Sequence, residues 1–130
     1  MNANEYQKAA YKFASFGCNE TYAYAELAEE AGEVLGKFAK FIRKHEGVAP
    51  SQLKSLKAFK TDLEEYREAI KKELGDVLWM VAAIATLEEL NLGDIMQDNI
   101  AKLTDRLNRG VIVGEGDTIE ERLANAEKDR

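Results

Sequence analysis

The hexapeptide Glu30-Ala31-Gly32-Glu33-Val34-Leu35 returns, with conservative changes, as Glu73-Leu74-Gly75-Asp76-Val77-Leu78. Both copies lie in long runs whose apolar residues recur at helical rather than strand spacing. Stepping about 100° per residue, Leu27, Ala31, Val34, Phe38 and Phe41 form one apolar stripe, and Ala25, Ala28, Gly32, Leu35, Gly36 and Ala39 a second stripe of small residues. Around the second copy the flanks are Ile70, Leu74, Val77, Val81 and Ile84 on one side and Gly75, Leu78, Trp79 and Ala82 on the other. Glu30 with Glu33, and Glu73 with Asp76, stand three residues apart, so each pair shares one helix face, in the strip between the two flanks. Such a chain must pack two helices on both sides and still accommodate the acids held between.

A glycine inside a helix costs about 1 kcal/mol relative to alanine. Gly32, Gly36 and Gly75 therefore imply a compensating close approach of helices, which would press the two acid pairs together. Four carboxylates at short range cannot all stay ionised without a counter-charge, and burial sharpens the conflict. A bound cation resolves it. For a single acid pair on a charged helix, a solvated face with pairs such as Glu33 and Lys37 is the better reading; two copies in one hexapeptide frame favour a metal site.

Composition narrows the class. The chain has 130 residues, one domain's worth, read as residues 1–130 with a core at about 4–110 and a tail at 111–130. It is 45% hydrophobic and 32% charged, a globular helical balance rather than a disordered one. A net charge of −6 argues against binding a nucleic acid polymer, which needs a basic footprint. It does not argue against a nucleotide, because a metal inverts the sign of a carboxylate site. Cys18 is the single cysteine, so no intrachain disulfide can form. With no signal-peptide pattern at the start and no apolar run long enough for a membrane span, the expected setting is cytoplasmic.

Taken in order, Asn4 to Phe16 reads as a first helix ended by Gly17, and Asn19 or Thr21 caps a second that runs to about His45. Gly47 and Pro50 break the chain, and Ser51 caps a short segment carrying Leu53, Leu56 and Phe59. Thr61 and Asp62 open the second acid-bearing helix, which runs to about Leu90; Asp94 starts the last main helix, with Met96, Ile100, Leu103 and Leu107 inward, and Gly110 stops it. Val111 to Asp117 reads as a glycine-rich loop in which Val111-Ile112-Val113 can pair briefly, and Thr118 to Lys128 as a short terminal helix. The expected fold is all-α: an antiparallel bundle of about four main helices. Two apolar flanks per helix further imply a homodimer or homotetramer.

The acids Glu29-Glu30-x-x-Glu33 followed by Glu73-x-x-Asp76 resemble the signature of the MazG-like all-α nucleoside triphosphate pyrophosphohydrolases. The similarity continues through Asn99-x-x-Lys102-Leu103-x-x-Arg106, Arg109-Gly110 and Gly114-Glu115-Gly116-Asp117, while Lys44–Lys60 departs from it. The resemblance implies cleavage of a nucleoside triphosphate to monophosphate and pyrophosphate. Glu30, Glu33, Glu73 and Asp76 would hold the metal, and an all-oxygen set favours Mg²⁺, with Mn²⁺ a substitute. Glu29 is the candidate catalytic base or a support to the ligands. Lys37, Asn99, Lys102 and Arg106 are candidates for the substrate's phosphates. Trp79, Phe13, Phe16 and Tyr22 could stack on a base, although core or subunit contact is the plainer role for each. Two other classes compete: a di-iron carboxylate bundle, which typically needs Glu-x-x-His pairs that the lone His45 does not supply, and a non-catalytic helical interaction protein.

Overall fold

The computed structural model describes residues 1–14 and 19–111. Asn2 opens helix α1 (Ala3–Tyr11) with a reciprocal cap: its Oδ1 accepts from the Glu5 N–H and the Glu5 carboxylate accepts from the Asn2 N–H, each at 2.9 Å. A 3₁₀ turn follows at Lys12–Ala14. Asn19 caps α2 (Glu20–Lys44) by accepting from the Tyr22 N–H at 3.0 Å, which settles the choice between Asn19 and Thr21. Gly47 closes α2 with φ +86°, a left-handed conformation suited to glycine, and donates to Ile42 O at 2.9 Å.

Pro50 then occupies the first turn of the short α3 (Pro50–Leu53), where its missing N–H costs nothing; Ser51 lies within this helix rather than capping it. A 3₁₀ turn at Lys57–Phe59 leads directly into α4 (Lys60–Leu87), so α4 starts without a side-chain cap. Asn91 caps α5 (Leu92–Asn108) by accepting from the Asp94 N–H at 3.2 Å. Among the described residues there is no strand, and no helix is long and apolar enough to cross a membrane. The Phe16–Gly17 helix end, Cys18, the pairing of Val111-Ile112-Val113, the loop glycines Gly114 and Gly116 and the Thr118–Lys128 helix lie outside the described residues.

The chain divides into two compact units, Met1–Leu90 and one beginning at Asn91. In the first, α2 and α4 form an antiparallel hairpin. Pairs across it run in opposite chain directions: Lys44 with Asp62, Phe41 with Tyr66, Lys37 with Glu73 and Tyr24 with Glu88. At its closed end Phe41, Leu53 and Leu63 make a buried cluster with Val48, Phe59 and Tyr66 against it. His45 packs there too, its ring 4.3 Å from that of Phe41 and edge-on to Phe59. At the open end α1 lies on α4. Gln7 donates to Thr86 Oγ1 and Leu90 O, the Trp79 indole N–H donates to Ala10 O, and the small buried Ala10, Ala82, Ala83 and Ala85 let the backbones approach.

The stripes differ from expectation in one instructive way. The positions of α2 that are buried or half-buried towards α4 are Ala23, Leu27, Glu30, Val34, Lys37 and Phe41, while Ala31 and Phe38 are exposed. On α4 the matching series is Leu63, Tyr66, Ile70, Glu73, Val77, Met80 and Ile84. Both alternate steps of three and four, the seam of paired helices. Glu30, Lys37 and Glu73 thus sit in the seam itself rather than in a strip beside it. Parts of the stripes remain uncovered: Leu35 (65%) and Leu78 (46%) of the second stripes and Leu74 (52%) of the first are exposed, while Ala82 of the second is buried.

The glycines also depart from expectation: a Cβ built on Gly32, Gly36 or Gly75 meets nothing within 4 Å. Within the first unit, no described residue comes close to these glycines. In the second unit Met96 (55%), Ile100 (63%), Leu103 (36%) and Leu107 (62%) are exposed rather than inward. Apolar spacing identifies residues that share a face and leaves open what covers it.

Candidate metal centre

Halfway along the hairpin the seam changes character. Between Leu27 and Val34 on α2 it carries Glu30, and between Ile70 and Val77 on α4 it carries Glu73, with Asp76 one turn on. One carboxylate oxygen from each of Glu30, Glu73 and Asp76 can be chosen so that all lie within 4.8 Å of one another. Both copies of the hexapeptide contribute, as the antiparallel arrangement demands. Glu73 is 8% exposed, the buried charged residue among the described residues.

Acids so close disturb one another. Partial burial pushes the Glu30 carboxyl above the usual carboxylate range, and the charges of Asp76, Glu33, Glu26 and Glu73 add to the push. One internal cation answers part of this repulsion: Lys37 Nζ lies 3.0 Å from Glu73 Oε1. The hydrogen bond to Glu73, together with the charges of Glu73 and Glu33, raises the Lys37 ammonium above its ordinary value. Lys37 therefore reaches across the hairpin to α4 instead of pairing with Glu33 along its own helix. Tyr6 of α1 borders the same group; burial first, and then the charge of Asp76, raise its phenol.

The sequence-derived candidates distribute as follows. Glu30, Glu73, Asp76 and Lys37 come together. Glu33 is exposed on α2 but close enough for its charge to act on both Glu30 and Lys37. Glu29 is exposed on α2. Asn99, Lys102 and Arg106 lie on α5 in the second unit, Asn99 and Lys102 exposed and Arg106 half-buried; one turn further, Arg109 pairs with Asp105 at 2.9 Å. The sequence reading did not anticipate Tyr6 or the pairing of Lys37 with Glu73. Tyr6 carries no readable signal, since its position depends on how α1 docks. The Lys37–Glu73 pair was readable, because both residues fall at seam spacing.

The donor set fits a hard divalent cation: three carboxylates, one of them buried, with an ammonium in place as partial counter-charge. Histidine is not part of it. His45 caps the far end of α2, about 22 Å from Glu30 at 1.5 Å per residue, and its Nε2 lies 3.3 Å from Asp62 Oδ2. That removes the nitrogen ligand expected of a di-iron bundle.

Comparison with known proteins places this geometry in context. Residues 19–111 match the MazG nucleotide pyrophosphohydrolase domain. The Gene 37 protein of Mycobacterium phage L5 is 36% identical over 97 residues, which cover 75% of this chain and 74% of the phage protein. No solved structure shows significant similarity.

Proposed function

The chain belongs to the MazG nucleotide pyrophosphohydrolase domain family, and from that premise we propose that it cleaves nucleoside triphosphates to nucleoside monophosphate and pyrophosphate with Mg²⁺, or Mn²⁺ in its place. The observation that carries this reading is the meeting of Glu30, Glu73 and Asp76 from the two hexapeptide copies. These three, with Glu33 beside them, would hold the metal. When bound, the ion draws charge from the phosphate oxygens and acidifies a water molecule.

The remaining work falls to side chains. The seam fixes Glu30 and Glu73 on two packed helices, so the acids need little rearrangement to act. Lys37, paired with Glu73 across the hairpin, is the candidate to hold a phosphate oxygen. Glu29, outward of Glu30 on α2, is the candidate to accept the proton of the attacking water. Asn99, Lys102 and Arg106 on α5 are the candidates for phosphate charge left over. Water adds its hydroxyl to a phosphorus of the α–β anhydride and that bond breaks; the second proton passes to Glu29, and nucleoside monophosphate and pyrophosphate leave.

The exposed Leu35, Leu74 and Leu78 beside the acids support assembly as a homodimer or homotetramer. The single cysteine and acidic balance suit a cytoplasmic enzyme of nucleotide metabolism acting as one domain.

The test is product analysis with a panel of nucleoside triphosphates and Mg²⁺. Pyrophosphate and monophosphate are expected, and Glu73→Gln or Asp76→Asn should lower turnover by about 10²–10³-fold or more with helical circular dichroism unchanged. Release of orthophosphate and diphosphate, or full activity in both variants, overturns the proposal.

A further inference from the structure

Charge is not spread evenly along this chain. Residues 37–60, the end of α2 and the turn into α4, carry seven lysine or arginine side chains and one acid, although the whole chain has a net charge of −6. At this basic end an open cavity of about 270 Å³ is lined by residues 54–57 on one side and by Lys60, Leu63, Glu64 and Arg67 of α4 on the other. Leu63, 3% exposed and packed with Phe41 and Leu53, ties its wall to the buried cluster. Four lining side chains, Lys54, Lys57, Lys60 and Arg67, are cations, and all four are exposed. One lining carboxylate faces them. Glu64 lies 3.9 Å from Lys60, while Lys54, Lys57 and Arg67 make no ion pair among the described residues. Like charges gathered around a hollow raise one another's energy, and an anion relieves it.

The hollow is separate from the acid centre. Lys60 stands about 20 Å before Glu73 along α4 at 1.5 Å per residue, and Arg67, though nearer, is turned about 120° from Glu73 around the helix at about 100° per residue. We propose that this cavity is a second anion site whose ligand is a compact oligophosphate, a pyrophosphate or triphosphate chain, rather than a whole nucleotide. Four cations set against one carboxylate match an anion of several charges; the planar Arg67 guanidinium can take two phosphate oxygens at once, and the lysines act as point charges. The Ser55 hydroxyl adds a neutral donor. No lining residue is aromatic, so a nucleobase finds no ring to stack on. The volume lies just under the ~300 Å³ at which sites for larger ligands begin. A ligand here bridges residues 54–57 to α4, so its binding stabilises the closed end of the hairpin. Binding requires no chemistry at the acid centre.

The test is calorimetry on protein freed of divalent metal, so that the acid centre offers phosphates only like charge. Inorganic tripolyphosphate should bind once per chain, raise the Tm, and bind more weakly as added salt screens the attraction. Lys57→Ala and Arg67→Ala, with helical circular dichroism unchanged, should each weaken it about tenfold, the loss of one hydrogen bond to a charged group. Lys8→Ala, an equal change of charge at an exposed position on α1, should leave it within about twofold. A non-hydrolysable nucleoside triphosphate analogue should bind no more tightly than tripolyphosphate. Failure of the wild type to bind tripolyphosphate overturns the proposal, as does equal weakening by Lys8→Ala, which would report net charge rather than a site. A preference for the analogue of more than about tenfold overturns it by showing that a base is read. Binding to phosphatidylserine vesicles without binding to tripolyphosphate overturns it by assigning the patch to a lipid surface.

Discussion

Glu30 holds a proton more readily in the folded chain than a free glutamate does, because partial burial and four neighbouring acids disfavour its charge. The sign of the stability effect follows. A carboxyl whose folded pKa is raised favours the fold fully below the unfolded pKa, and that contribution is lost as pH rises through the folded pKa. Near neutrality, then, ionised Glu30 strains the metal-free protein. Glu30→Gln is expected to raise the Tm of the chelator-treated protein at pH 7 and to make no such difference at a pH below the ordinary glutamate range. The same substitution should abolish most of the Tm rise that Mg²⁺ gives the wild type. Thermal melts at the two pH values check this; a lower Tm for the variant at pH 7 without metal would contradict the account of Glu30. Because Mg²⁺ needs the ionised carboxylate, its affinity should also fall as pH drops towards the Glu30 pKa.

At the scale of the helices, the acids take positions that apolar residues would otherwise fill. Lys37 and Glu73 form a cross-helix pair in the α2–α4 seam, with Glu73 buried. Taking the Glu73 charge out of water offsets much of what the pair gains, so apolar side chains of similar volume can serve the seam as well or better. The double variant Lys37→Leu/Glu73→Leu should therefore melt at a higher temperature while losing pyrophosphate release; a lower Tm would show that the pair holds the hairpin together. Much of this architecture was legible beforehand. Asn19 and Gly47 mark helix ends through a cap and a left-handed turn, and the repeated hexapeptide marks the acids, whereas Asn91 caps α5 at Leu92, two residues before the Asp94 start that the sequence suggests. The seam was not. Stepping at 3.6 residues per turn and following only apolar residues selects Ala31 and Phe38, whereas two helices packed along their length follow a 3.5 repeat that here includes Glu30 and Lys37. Reading the charged residues into that repeat would have revealed both the seam and the Lys37–Glu73 pair.

For the molecule as a whole, the open flanks matter most. Leu35, Leu74 and Leu78 are exposed, and Gly32, Gly36 and Gly75 have empty space above them. The glycines that suggested close approach within the chain leave room for an approach from outside it, such as the second copy proposed above. Light scattering should give the mass of a dimer or tetramer for the wild type and a smaller species for Leu74→Lys/Leu78→Lys; an unaltered mass would place the contact elsewhere. The acid centre remains the claim on which everything else depends. Its most direct test is a titration with Mn²⁺ followed by electron paramagnetic resonance, in the absence of nucleotide, on the wild type and on Glu30→Gln, Glu73→Gln and Asp76→Asn. The wild type should take up Mn²⁺ in competition with Mg²⁺, and each variant should bind at least about 10–100-fold more weakly; equal Mn²⁺ binding by all four proteins would contradict the account.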